Sequence, residues 1–138
     1  ATSVAFKDFA HSPSKVSATT KAVKEQYKNR NVIACLELHT YSSLNAEFLK
    51  EYQGALNAAD EAVVFYSPNA VKIKQLDEVS EEQIATAFQR NDLKIYTDPT
   101  VFKDYLFAQN FDNSVLLLMS SGNYGGLDFE EVKNLLEK

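Results

Sequence analysis

Three short polar segments hold most of the side chains in this sequence that could bind a ligand. Residues 8–13 read Asp-Phe-Ala-His-Ser-Pro, residues 39–43 read His-Thr-Tyr-Ser-Ser, and residues 120–126 read Ser-Ser-Gly-Asn-Tyr-Gly-Gly. Both histidines of the chain, His11 and His39, lie in these segments. The glycine-bearing segment could present backbone amides to a carboxylate or phosphate. The three segments are therefore the candidate binding loops.

Each segment also has a purely structural interpretation. Asp8 could bond turn amides, His11 could cap or pack, and glycines could only relieve tight backbone geometry. His39 and Tyr41 could be ordinary surface residues. No Gly-Lys-Ser/Thr follows the glycines, so this is not a Walker phosphate loop. No Ser-His-Asp order and no metal-ligand spacing stand out, which disfavours a hydrolase or a metalloenzyme and predicts no metal ligands.

Five runs with strand character alternate with stretches of helical period, and they must position these segments. The predicted strands are residues 3–7, 32–37, 62–66, 93–96 and 114–119. Residues 71–76 fit either a loop or a short sixth strand. Such alternation predicts an α/β fold, a Rossmann-like, doubly wound, mostly parallel sheet of five to six strands with helices on both faces. Ligands of such sheets bind beyond the carboxyl ends of the strands, where all three polar segments fall.

The helical stretches are recognised by apolar residues spaced three and four apart and by capping residues. The first predicted helix carries Val16, Thr20, Val23 and Tyr27 on one face, and the second carries Leu44, Phe48, Tyr52 and Leu56. N-caps are predicted at Ser12, Ser80, Asp98 and Asp128.

Composition limits the function classes. The chain has 138 residues, 45% of them hydrophobic and 24% charged, which predicts one globular domain spanning residues 1–138. The net charge of −5 argues against a nucleic-acid partner. No apolar run has the length of a membrane span and no signal peptide opens the chain, so we expect no membrane association. Cys35, the only cysteine, lies in an apolar run and is expected to be a buried thiol in a reducing cytoplasm.

The three segments resemble a known family. Residues 8–13 resemble the Asp-(Tyr/Phe/Gly)-(Ala/Gly)-His-x-Pro signature that opens the third domain of Mur ligases and folylpolyglutamate synthetases. Residues 37–42, Glu-Leu-His-Thr-Tyr-Ser, resemble the second-strand loop of Mur ligases that act on UDP-N-acetylmuramate. Residues 119–126 resemble the Met-Ser-Asn-Gly-Gly-Phe-Gly-Gly loop of peptide-recycling members, which argues against a folylpolyglutamate synthetase. The motifs occur in the family's order and span nearly the whole chain.

The resemblance implies the carboxy-terminal domain of an ATP- and Mg²⁺-dependent ligase whose UDP-binding and ATPase domains lie upstream and are absent here. That ligase would join UDP-N-acetylmuramate to L-alanyl-γ-D-glutamyl-meso-diaminopimelate in peptidoglycan recycling. Asp8 and His11 would contact ATP, with His11 as the catalytic candidate. The incoming amine component, a cell-wall peptide or amino acid, would be held by residues of the other two segments: His39, Thr40, Tyr41, Ser42, Ser120, Ser121, Gly122, Asn123, Tyr124, Gly125 and Gly126.

Some positions depart from the family pattern. Ser12 replaces a common second histidine, the second loop lacks an arginine that many members carry, and Leu127-Asp128 stand where recycling members often have Ile-His. These differences leave UDP-N-acetylmuramate–L-alanine ligation as an alternative. A non-catalytic nucleotide- or anion-binding module that uses the same loops is an alternative of a different class.

Overall fold

Parallel strands alternate with helices along the chain in a computed structural model, which describes residues 4–8, 12–38, 50–66, 81–90, 92–109, 113–120, 124 and 129–136. The strands are β1 (Val4–Asp8), β2 (Asn31–Glu37), β3 (Glu61–Phe65), β4 (Lys94–Tyr96) and β5 (Ser114–Met119). The helices are α1 (Pro13–Gln26), α2 (Glu81–Phe88), α3 (Pro99–Ala108) and α4 (Phe129–Leu136), with a 3₁₀ turn at Lys50–Tyr52.

The strands form one parallel sheet in the order β1-β5-β2-β3-β4. β5 and β2 lie inside the sheet, which is why their sequences are almost continuously apolar. Cys35 of β2 is a buried free thiol, as predicted, and burial raises its pKa. The predicted Rossmann-like α/β fold is confirmed, with five strands in the described part of the chain. The candidate sixth strand, residues 71–76, lies outside the described residues.

Helices cover both faces of the sheet. On one face the buried residues of α1, the 3₁₀ turn and α2 form a single cluster with side chains of the strands. On the other face Phe102 and Leu106 of α3 and Val132 of α4 pack against the sheet. The chain returns from β4 to β5 through α3, in the direction opposite to the earlier crossovers. Right-handed crossovers therefore require α3 to lie on the opposite face.

Two helix starts carry the predicted capping residues. Ser12 and Asp98 both occupy N-cap positions with extended backbone, and each is followed by proline at the first helical position. The Asp98 side chain accepts a hydrogen bond from the Thr100 amide at 2.8 Å, whereas the Ser12 side chain makes no capping bond. None of the described helices is long and apolar enough to cross a bilayer. The caps predicted at two other positions lie outside the described residues: Ser80 and Asp128.

The second predicted helix is wrong in its carboxyl half. A 3₁₀ turn ends at Tyr52, and the chain continues in turns up to β3. Gly54 adopts φ +76°, a left-handed conformation that a right-handed helix cannot contain. The spacing still identified buried residues, since Tyr52 and Leu56 are both in the core. The amino half of this predicted helix, with Leu44 and Phe48, lies outside the described residues.

Candidate functional site at the carboxyl edge of the sheet

Three strands that are neighbours in the sheet end in polar residues at one edge. Asp8 ends β1, Glu37 ends β2, and Ser120 follows β5, which lies between the other two. The Ser120 amide donates to the Asp8 carbonyl at 3.0 Å, so the ladder between β1 and β5 continues to the start of the glycine-bearing segment. The first residues of the 8–13 and 120–126 segments therefore lie side by side, as the fold prediction implied.

The start of the 39–43 segment is also fixed at this edge. Leu38, which immediately precedes His39, donates its amide to the Phe65 carbonyl at 2.9 Å. Leu38 directly follows Glu37, the last residue of β2, and β2 is the neighbour of β5 in the sheet. α1, which follows β1, and the 3₁₀ turn, which follows β2, lie on one face of the sheet, whereas α4, which follows β5, lies on the other. Open α/β sheets form their binding crevices at such a change of face.

Glu37 is the hydrogen-bonding centre of this edge. Its Oε1 accepts the Ser120 hydroxyl at 2.5 Å and the Tyr124 backbone amide at 3.0 Å. Only 4% of Glu37 is exposed. A buried carboxylate is stable when several donors replace its lost water. The contacts to Ser120 and Tyr124 supply two such donors.

No role for Glu37 was predicted from the sequence. One signal was available, because a single acidic residue ends the otherwise apolar run of residues 32–37. That pattern also describes a strand end entering solvent, the commoner case for glutamate. Glu37 was distinguished only by its partners, which lie 83 and 87 positions later in the chain.

Tyr124, predicted to contact substrate, has its side chain in the core. The residue is 1% exposed, and its ring lies 5.2 Å from the Phe102 ring at 15° and 5.8 Å from the Phe65 ring. Its hydroxyl lies 2.7 Å from the Met119 carbonyl and 2.9 Å from the Cys35 carbonyl. Burial, with the nearby Cys35 and Glu37, raises the tyrosine pKa, so the hydroxyl remains a donor. The side chain therefore fixes the loop to the sheet.

Tyr124 also has an unusual backbone conformation. Its φ is +56°, in the left-handed region that residues other than glycine rarely adopt. The stacking of its ring on Phe102 and the hydrogen bond from its backbone amide to Glu37 hold the residue in this conformation. This combination directs the Tyr124 amide towards the carboxyl edge while its ring points into the core.

Asp8 is the exposed member of the edge. Its backbone carbonyl is bound by Ser120, and the residue lies at the surface where β1 ends. An exposed carboxylate in this place could accept hydrogen bonds from ligand hydroxyls. Among the described residues no three His, Cys, Asp or Glu side chains are grouped as metal ligands. The remaining predicted site residues lie outside the described part of the chain: His11, His39, Thr40, Tyr41, Ser42, Ser121, Gly122, Asn123, Gly125 and Gly126.

Proteins with similar sequences are UDP-N-acetylmuramate–L-alanine ligases. The UDP-N-acetylmuramate–L-alanine ligase of Streptococcus equi subsp. zooepidemicus is 30% identical over 118 residues, 84% of this chain and 25% of that protein. The ligase of the same name from a Sulfurihydrogenibium species is 27% identical over 137 residues, 98% of this chain and 30% of that protein. The chain thus spans less than a third of these relatives. No protein-family model matches it.

Solved structures with the same fold are also ligases or parts of them. A murein peptide ligase from Psychrobacter arcticus superposes with a TM-score of 0.74 at 16% identity, over 97% of this chain and 27% of that chain. A domain assigned to a UDP-N-acetylmuramate:L-alanyl-γ-D-glutamyl-meso-diaminopimelate ligase of Haemophilus ducreyi gives 0.62 at 21% identity, over 97% of this chain and 92% of that chain. These two likenesses show the fold, and the sequence similarity over 84% of the chain shows that the chain belongs to the Mur ligase family.

Proposed function

We propose that residues 1–138 are the carboxy-terminal domain of a Mur ligase, which closes over substrates held by UDP-binding and ATPase domains upstream. The observation that carries this proposal is the shared edge of β1, β5 and β2, where Asp8, Ser120 and Glu37 lie together. The lengths of the matches support the proposal. This chain covers only 25% and 30% of two related ligases but 92% of a ligase domain whose structure was determined by itself. As a relative of these enzymes, the domain would act in the cytoplasm.

The proposed reaction forms an amide bond. ATP with Mg²⁺, bound mainly by the ATPase domain, supplies the phosphoryl group that activates the carboxylate of UDP-N-acetylmuramate. Asp8 would accept hydrogen bonds from ribose hydroxyls, and its exposed place at the end of β1 fits that role. His11 would donate a hydrogen bond towards the phosphate region. The activated carboxylate would be an acyl phosphate, formed with release of ADP. Closure of the domain would exclude water from it and so favour attack by the incoming amine, which forms the amide bond and releases phosphate.

For the amine component we propose the tripeptide L-alanyl-γ-D-glutamyl-meso-diaminopimelate, held by the segments 39–42 and 120–126. The fold likeness to a murein peptide ligase and the glycine-loop resemblance favour this choice. The second candidate is L-alanine, which is favoured by the names of the sequence relatives. Product formation by the full-length parent enzyme with each amine in turn distinguishes the two. A parent that accepts neither the tripeptide nor L-alanine would contradict both choices.

Substitutions at the sheet edge test the site. In the parent enzyme, Asp8→Ala and His11→Ala should each lower ligase turnover by roughly a hundredfold or more, the usual effect of removing one preorganised group from such a site. Asp104→Ala, on the exposed surface of α3, is the matched control and should keep the parental rate. Parental rates for both edge variants would show that this edge is not the active site.

The alternative of a non-catalytic binding module predicts different behaviour of the 138-residue chain alone. A closing domain should bind ATP and tripeptide only weakly without its partner domains, and it should hydrolyse no ATP because the phosphate loop lies upstream. Calorimetric titration with each ligand, with and without Mg²⁺, separates the two functions. Tight binding of either ligand by the 138-residue chain favours the module, and Mg²⁺-dependent turnover contradicts the domain assignment.

A further inference from the structure

The carboxylate of Glu37 joins parts of the candidate site that are far apart in the chain. It sits at the end of β2, directly before the 39–43 segment, and binds residues at two points of the 120–126 segment. Ser120, one of these points, is bound in turn to the carbonyl of Asp8. The Glu37 side chain thus joins the end of β2 to the segment after β5, and a backbone hydrogen bond joins that segment to the end of β1.

The bonds to Glu37 fix both position and direction. Ser120 and Tyr124 bracket three residues of the glycine-bearing segment, and the same oxygen, Oε1, accepts from both. The Tyr124 ring is held independently by Phe102 and by carbonyls of the sheet. Loss of the carboxylate would therefore leave the ring anchored but remove the partner that orients the Tyr124 amide.

Burial argues that this arrangement has a purpose beyond packing. Glu37 is 4% exposed, and an apolar residue at the same position would avoid the cost of dehydrating a carboxylate. Two of its hydrogen-bond partners, the Ser120 hydroxyl and the Tyr124 amide, are groups of a predicted substrate loop. The carboxylate therefore serves the geometry of that loop.

We propose that Glu37 is a positioning residue of the ligase reaction, which holds the Ser120 hydroxyl and the Tyr124 amide at the end of β2 and so shapes the grip on the incoming amine component. This inference rests on the proposed function. Glu37 acts through its two partners and is not assigned a contact with substrate.

The first test measures the hydrogen bonds themselves in the 138-residue chain. Amide hydrogen exchange at Tyr124 should speed up at least tenfold in Glu37→Ala, because the amide loses its acceptor. In Glu37→Gln the exchange rate should stay within about threefold of that in the unsubstituted chain, because the side-chain oxygen of glutamine can accept both hydrogen bonds. Ile33→Val, a core change near the start of β2, controls for a general loss of stability. Equal acceleration in Ile33→Val and Glu37→Ala would overturn the inference.

The second test measures function in the full-length parent. Glu37→Ala should raise KM for the accepted amine about tenfold or more, leave KM for ATP within about twofold, and be largely rescued by Glu37→Gln. If Glu37→Ala does not fold, Glu37→Asp replaces it: the shorter carboxylate keeps its charge but no longer reaches both donors, so the same rise in KM is expected. A change of kcat alone, or equal changes of both constants, would overturn the inference.

Failure of this inference can be distinguished from failure of the proposed function. Parental turnover in both Asp8→Ala and His11→Ala removes the proposed function, whatever Glu37 does. Impaired turnover in those variants with parental constants in both Glu37→Ala and Glu37→Asp removes the positioning role alone.

Discussion

The ring of Tyr124 stacks on the ring of Phe102, with centroids 5.2 Å apart and planes 15° from parallel. Tyr124 belongs to a loop after β5, whereas Phe102 belongs to α3, which precedes that strand. The contact makes a residue of the predicted substrate loop part of the core on one face of the sheet. Changes at Tyr124 should therefore affect stability first.

Tyr124→Phe and Tyr124→Ala should destabilise the 138-residue chain to different extents. The phenylalanine keeps the stacking but leaves the Met119 and Cys35 carbonyls without the hydroxyl, at a cost of about 1–2 kcal/mol. The alanine also removes the buried ring and should cost about 3–5 kcal/mol. Urea unfolding measures both values. Equal losses in the two variants would contradict the role of the ring.

Gly54→Ala should destabilise the turn between the 3₁₀ segment and β3 by about 1 kcal/mol, because φ +76° is strained for any residue with a β-carbon. The new β-carbon would also lie 3.3 Å from the Asn57 side-chain nitrogen, which can move away. Thermal and urea unfolding of the variant measure the loss. In the double variant with Asn57→Ala most of the loss should persist, and full recovery there would mean that the contact, not φ, is responsible.

Asp60 should make stability depend on pH through its bonds to the Lys24 ammonium at 2.7 Å and the Val32 amide at 2.8 Å. Partial burial raises the pKa of Asp60, but these bonds outweigh burial and hold it below its usual 3.8. A lowered pKa adds stability above the unfolded-state value, and this stability disappears as the pH falls through the folded-state value.

Asp60→Asn should therefore cost about 0.5–1 kcal/mol at pH 7, a modest value because the Asp60 and Lys24 side chains are 39% and 27% exposed. The difference in unfolding free energy between Asp60→Asn and the unsubstituted chain should shrink as the pH falls below about 4, near the ordinary pKa of aspartate. Urea unfolding across this range measures it, with Asp104→Asn on the exposed surface of α3 as the control. A difference that grows on acidification would reverse the predicted sign.

Gly125→Val in the parent enzyme should raise KM for the accepted amine more than KM for ATP, if residues 120–126 hold the amine. A branched side chain at a glycine can block positive φ or crowd a bound substrate. Steady-state kinetics with each substrate varied in turn measure both constants, and a thermal melt measures stability. A lower melting temperature with both constants unchanged would instead make the segment a simple connector.

The sequence by itself determined the five strands and the four α-helices of the described residues. Burial on one face of a helix leaves a spacing of three and four, and burial on both faces of a strand leaves a continuous apolar run. The stripe through Val16 and Thr20 and the run 114–119 were therefore sufficient to identify α1 and β5. Local turn chemistry was sufficient at Asp98, whose side chain accepts a hydrogen bond from the Thr100 amide, as predicted for an N-cap. The helix prediction failed at Gly54, because it followed the apolar spacing and not the turn signal of the glycine.

Only the tertiary structure decided the order of the strands and the partners of Glu37. Alternation of strands and helices does not specify that β5 lies between β1 and β2, since that placement depends on long-range pairing. Glu37 and Tyr124 are 87 positions apart, and no local pattern marks them as partners. A hydrogen bond of this kind exists because the sheet brings two strand ends together, so its members are visible only once the sheet has formed.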